Sequence, residues 1–206
     1  MSYPIFRVPF DGPLTVSRRE VLRYMRSREG VPEVEALADE AIAAVGQVLT
    51  CRACFGRFPV RAEGTRLDLG FAGVESRSLA ERLAGCREVL AFAATLGSGV
   101  DRLIARSAAL SPAEGYAADA AATAAIEAFC DRLCDCWREQ MAGEGLTLRE
   151  RFSAGYGDCP LELQKPLIAA LDAPRQIGVS LTDQLLMTPM KSVTALIGLS
   201  REGEPV

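Results

Sequence analysis

The chain has 206 residues, 49% hydrophobic and 24% charged, so it can bury a core without disulfide staples. Its 27 acidic residues outnumber 23 Lys and Arg, for a net charge of −4 and a pI near 5.1, which argues against partners that demand a cationic surplus, nucleic acid and anionic membrane among them. His is absent, which removes the commonest general base, the commonest metal ligand and every Ser–His or Cys–His nucleophile pair.

The opening residues MSYPIFRVPFDGPL carry no apolar segment of signal-peptide type. No run approaches the roughly 18 apolar residues of a membrane span. A cytoplasmic protein is expected. Seven Cys, an odd number, speak against a disulfide framework there.

Residues 1–14 read as extended, because Pro4, Pro9 and Pro13 block regular structure. Ser17 and Glu20 have capping-box spacing and start a helix whose buried side is Val21, Leu22 and Met25, with Gly30 as its end. A second helix is expected over Pro32 to Val48, with Val34, Leu37, Ala38, Ala41, Ile42 and Val45 on one face. Strands follow over Cys51 to Val60 and Thr65 to Leu69, separated by a hairpin-like break at Ala62-Glu63-Gly64.

A short helix is expected over Ser78 to Ala84. Glu88 to Ala94 is a continuous apolar run, the pattern of a buried strand. A turn at Gly97-Ser98-Gly99 then opens a helix over Val100 to Ala108. Ser111, Pro112 and Glu114 combine a cap, a Pro at the first helical position and an acid in the first turn. The helix they start runs to about Met141, Ala-rich between Ala117 and Ala128. After a loop with Gly143 and Gly145, Leu161 to Leu171 reads as helical, limited early by Pro166. Strands near Gln184–Met187 and Val193–Leu199 close the chain. The pattern is α+β: a mainly antiparallel twisted sheet with several helices, one long and Ala-rich. It forms a single domain over 1–206, with 1–49 as an N-terminal extended and helical segment.

The chemistry concentrates in Arg151-Phe-Ser-Ala-Gly-Tyr-Gly-Asp-Cys-Pro160. Arg151 can hold a carboxylate through its planar fork. Gly155 and Gly157 permit positive φ and close backbone approach, and Tyr156 offers a stacking face. Such a loop suits a ligand with an amino-acid carboxylate at one end and a heterocycle at the other. A glycine-rich surface loop with an unremarkable Arg has the same composition.

This segment resembles the R-x-x-x-G-Y-x-x-C-P motif of the activation domain of cobalamin-dependent methionine synthase. The likeness continues through Lys165, Ile177-Gly-Val-Ser-Leu-Thr-Asp183 and Met187-Thr-Pro-Met-Lys-Ser-Val193, and upstream to Glu127-Ala-Phe129. It spans roughly residues 115–200. The resemblance implies a free-standing reactivation module, an accessory subunit with no catalytic residue of its own. It would bind S-adenosylmethionine and support reductive methylation of cob(II)alamin to methylcobalamin, the cobalamin being carried by the partner. That partner is the cobalamin-binding portion of methionine synthase, with flavodoxin or another donor supplying the electron. Arg151 would bind the methionyl carboxylate and Glu127 would face the ammonium. Ser153, Gly155 and Tyr156 would contact the ligand mainly through backbone. The sequence ends at Val206, without the later aromatic residues that line the family's site, and an acidic contact near the family's N-terminus has no counterpart. Weak affinity, or a site completed by a partner, is the corresponding expectation. The alternative is a non-catalytic module that docks on a corrinoid protein without S-adenosylmethionine.

Other signals are discounted. Cys51-Arg-Ala-Cys54 lacks a second C-x-x-C, and Cys134 and Cys136 point to different helix faces, so no metal site is expected. Gly97-Ser98-Gly99 lacks the third Gly of a dinucleotide fingerprint and reads as a structural turn. The ladder Arg18, Arg19, Arg23, Arg26 and Arg28 reads as a solvated face.

Overall fold

A computed structural model of the protein describes residues 3–8, 10 and 12–201. The first third holds β1 (Ile5–Val8), α1 (Arg18–Tyr24), α2 (Pro32–Val48), β2 (Arg52–Pro59), β3 (Arg61–Glu63) and β4 (Arg66–Asp68). Then come β5 (Gly73–Glu75), α3 (Arg77–Arg82), β6 (Glu88–Thr95), α4 (Ser98–Leu110), α5 (Pro112–Ala142) and β7 (Leu146–Leu148). A 3₁₀ turn (Leu161–Leu163) leads into α6 (Gln164–Ala170), followed by α7 (Ala173–Ile177), β8 (Ser180–Leu181), β9 (Met187–Thr188) and β10 (Ser192–Arg201).

The main sheet has the order β1-β2-β6-β10-β7, with every neighbouring pair antiparallel. A small sheet of β3, β4 and β5 and a ribbon of β8 and β9 stand apart from it. The central strand β6 is buried on both faces, which is why it reads as an unbroken apolar run. Leu90, Phe92 and Ala94 face the layer of α1, α2, α4 and α5. Val89, Ala91 and Ala93 face a second core that holds Leu79 of α3, Leu167 of α6 and Ile177 of α7. The architecture is therefore helix, sheet, helix, and α+β as expected.

The long helix α5 starts where its cap predicts: Ser111 Oγ accepts from Glu114 N at 3.4 Å. Its alanines are buried from Ala120 to Ala122 and at Ala124 and Ala125, so neighbours approach closely. Gly115 is the tightest crossing; a Cβ there would lie 2.6 Å from Ala108 Cα in α4. Farther along, Trp137 packs on Phe55 and Phe92 of the sheet, with ring centroids 5.3 and 5.0 Å apart. Gly99 explains the earlier glycine turn. A Cβ there would meet Val48 O at 2.6 Å, so the glycine lets α4 begin against the end of α2.

Several local expectations are corrected. Helix α1 ends at Tyr24, well before Gly30: Arg26 takes a left-handed φ of 52° and Ser27 N reaches back to Leu22 O at 2.9 Å. Ser17 makes no side-chain cap, and the Glu20 carboxylate pairs with Arg23 instead of closing a capping box. Ala62 and Glu63 belong to β3, and the hairpin turns at Gly64 and Thr65. Gln184 to Leu186 form a turn with Leu185 at φ 64°, leaving Met187 as the only strand residue of that stretch. Pro9 lies outside the described residues.

In Gly115→Ala the added methyl meets backbone that cannot swing aside, an overpacking that costs about 1–3 kcal/mol. Less the roughly 1 kcal/mol that Ala gains over Gly in a helix, the protein should be destabilised by up to about 2 kcal/mol. Urea unfolding followed by circular dichroism should show a lower midpoint; an unchanged or higher one contradicts the packing described.

Candidate functional site

Beyond β7 the chain stays alongside β10. Arg149 N donates to Gly198 O at 2.9 Å, and Phe152 and Leu196 exchange backbone hydrogen bonds of 2.9 and 2.8 Å. Side chains alternate along such an edge. Phe152 and Ala154 pack into the core under α6 and α7. Arg151 reaches to α5, where Nη2 lies 2.7 Å from Asp131 Oδ1 and 3.3 Å from Glu127 Oε2. Ser153 Oγ donates to Thr194 O at 2.8 Å.

Glu127 and Asp131 are four residues apart and so share one face of α5. The same row continues to Asp119 and Thr123, which Lys191 Nζ contacts at 2.9 Å each. Two cations, one from the edge segment and one from the entry to β10, thus clamp the sheet edge to the acidic row of the long helix.

The turn that follows is closed internally. Gly155, at φ 86°, donates its N–H to Cys159 O at 3.0 Å, and Cys159 N donates to Tyr156 O at 3.0 Å. Asp158 ties the turn to α3. Its carboxylate accepts from Ser76 Oγ (2.7 Å), Arg77 N (2.7 Å) and Ser78 N (3.0 Å), capping a helix from 80 residues away in sequence. Gly157 makes that approach possible: its φ is 58°, and a Cβ would stand 2.5 Å from Ser78 Oγ. The Ser76 hydroxyl and then the Ser78 and Arg77 N–H groups hold the Asp158 carboxyl well below the usual carboxylate range.

Between α5, the edge segment, the start of β10 and α6 lies a cleft of about 960 Å³. Four of the five residues singled out from sequence line it: Glu127, Arg151, Ser153 and Tyr156. Tyr156 is no core aromatic; it is 69% exposed. Gly155 shapes the turn and is not among the lining residues. Sequence reasoning missed Asp131, Arg149 and Gln164, which also line the cleft. The spacing from Glu127 was a usable signal for Asp131; nothing marked Gln164. Four arginines (Arg82, Arg138, Arg149, Arg151) face four acids (Glu127, Asp131, Asp135, Glu150), a lining suited to a zwitterion.

The cysteines stay outside this chemistry. Cys130 and Cys134 lie behind Arg151, where burial pushes the Cys130 thiol up to about 12 and raises Cys134 as well. Cys51 and Cys54 flank the sheet from opposite faces, since an odd spacing in a strand reverses direction. Among the described residues, no group of three or more His, Cys, Asp or Glu could hold a metal ion.

The fold is that of a reactivation domain. The structure is similar to the crystal structure of the MetH reactivation domain bound to AdoHcy, with a TM-score of 0.66, 17% identity and coverage of 100% of this chain and 81% of that one. Residues 78–204 match the family described as vitamin B12 dependent methionine synthase, activation domain. That is more than half of the chain, and the chain belongs to this family. No curated protein matches the sequence. Among the described residues no helix is long and apolar enough to cross a membrane.

Asp158 makes stability depend on acid. Its folded pKa lies below the unfolded value of about 3.9. The stabilisation is therefore full above that value and drains away as pH falls below about 4 toward the folded pKa. Urea unfolding between pH 6 and pH 2.5 should show the parent losing stability below pH 4, with a smaller loss for Asp158→Asn. Parallel pH profiles for the two proteins would remove Asp158 from this role.

Proposed function

We propose that the chain binds S-adenosylmethionine in this cleft and presents it to the cobalamin of a methionine synthase, supporting reductive methylation of cob(II)alamin to methylcobalamin. One observation carries the reading: Arg151, Glu127 and the Ser153–Tyr156 turn converge on one charge-balanced cleft. The similar MetH reactivation domain, bound to AdoHcy in its crystal structure, supports it.

The donor set fits the ligand's amino-acid end. Both contacts of Arg151 fall on Nη2, an atom shared by both edges of the guanidinium, so a ligand carboxylate takes a fork by displacing the exposed Asp131 from Nη2. Glu127 stands beside that position to accept the ammonium. Because Glu127 also holds the guanidinium, little orientational freedom is lost on binding. Tyr156, exposed at the mouth, offers a face for the adenine. Cobalamin, carried by the partner, supplies the cobalt that accepts the methyl group, with one electron from flavodoxin or another donor. The chain's task is binding and orientation, which needs no general base and agrees with the absence of His.

Arg151→Ala should weaken S-adenosylmethionine binding by about 10- to 150-fold, the loss of a charge-assisted pair of roughly 1.5–3 kcal/mol. Arg151→Lys should restore little, because a point charge cannot reproduce the fork. Calorimetry measures the affinity. Return of methylcobalamin absorbance on the partner, with S-adenosylmethionine and a reductant, measures reactivation. If folded Arg151→Ala binds and reactivates like the parent, the cleft is not the ligand site. A parent that docks on the partner yet binds no S-adenosylmethionine would favour the pure docking module.

A further inference from the structure

Gln164 opens α6 and lines the cleft, yet it is only 7% exposed. Its Oε1 is buried and hydrogen-bonds nothing among the described residues. A buried carbonyl oxygen without a partner destabilises a fold, and Leu or Met would fill the same space without that cost. A polar group kept in that state points to a contact made by a ligand.

Its place in the fold says which part of the ligand. Arg151, Glu127 and Asp131 meet on the α5 side of the main sheet. Gln164 belongs to the opposite layer, next to Leu163 and Leu167 in the second core. The cleft joins the two around the edge of β10 at Ser192 to Thr194. A ligand whose amino-acid end sits on Arg151 therefore extends its other end toward Gln164.

We propose that Gln164 reads the adenine base, its Oε1 accepting a hydrogen bond from the 6-amino group while Nε2 donates to a neighbouring ring nitrogen. A carboxamide offers one acceptor and one donor side by side, the complement of an adenine edge. Rotation about the terminal bond of the side chain is soft, so either atom can be turned to the ligand. This inference rests on the S-adenosylmethionine reading above and adds to it a residue that sets base specificity.

The test uses the full chain, calorimetry, and two ligands: AdoHcy and its analogue with hydrogen in place of the 6-amino group. The parent should bind the analogue about 10-fold or more weakly than AdoHcy. Gln164→Met should bind AdoHcy weaker by a similar factor and no longer distinguish the two ligands. Its ligand-free Tm should equal or exceed the parent's, since an unpaired polar group has gone, whereas a merely structural Gln would lower it. Equal affinity of the parent for both ligands overturns the proposal without any variant. So does a Gln164→Met that loses affinity but still prefers AdoHcy, which would put the contact on the sugar. Should the parent bind neither ligand, the S-adenosylmethionine reading itself fails; that result is distinct from AdoHcy binding with the 6-amino group unnoticed.

Discussion

The site depends on one pair of backbone hydrogen bonds, those between Phe152 and Leu196. They fix the register of residues 151–154 on the edge of β10. With a side-chain period of two, that register sends Phe152 and Ala154 into the second core and leaves Arg151 directed at α5. A slip of one residue would exchange the two sets. It would bury the guanidinium among Leu163, Leu167 and Leu171 and expose a phenylalanine. The cost of burying an unpaired charge is large enough that the core polices the position of the site. The direction of the Arg151 side chain is thus set by its apolar neighbour Phe152.

The rest of the fold brings two partners to that edge. Alanines along α5 let the long helix lie close to its neighbours, and its acidic row reaches the edge segment. On the far side, Asp158 adds to the local Ser76 cap on α3, and Gly157 lets it come near enough. The turn carrying Ser153 to Tyr156 is consequently held at three points: the β10 edge, the α3 terminus and its own Gly155–Cys159 hydrogen bond. A loop so held loses little entropy when a ligand arrives.

Long periodic segments were legible in the sequence, short ones were not. Helix α2 has the bounds its apolar spacing and Pro32 predict, and α5 begins at its Ser111–Glu114 cap. Helix α7 is five residues entered through Asp172 in a left-handed conformation, too short to show a period. Strands β3 and β5 are three residues each and exposed or half-buried, so they carry no alternating apolar signal. For the site, residue types were readable and geometry was not. Arg151 stood out as a cation before a glycine pair, but its pairing with Leu196 is a long-range contact without a local mark. Gln164 was invisible, because a Gln at a helix start is ordinary until its oxygen is known to be buried and unpaired.

The charges around Arg151 bear on what the cleft prefers. Arg151 with Glu127 and Asp131 leaves one net negative charge, and Asp131 is mostly solvent-exposed, so its bond is a weak tether that sets orientation. An amino-acid zwitterion adds nothing to that balance. Under the proposed reading, the sulfonium of S-adenosylmethionine adds one positive charge and neutralises the cluster. The thioether left after methyl transfer restores the negative excess. On that reading the acids beside Arg151 would favour substrate over product locally, although the whole lining, with four arginines and four acids, is balanced. The two species differ by one methyl group and by the charge on sulfur, and in a cleft lined by charged side chains the charge would separate them better than the shape.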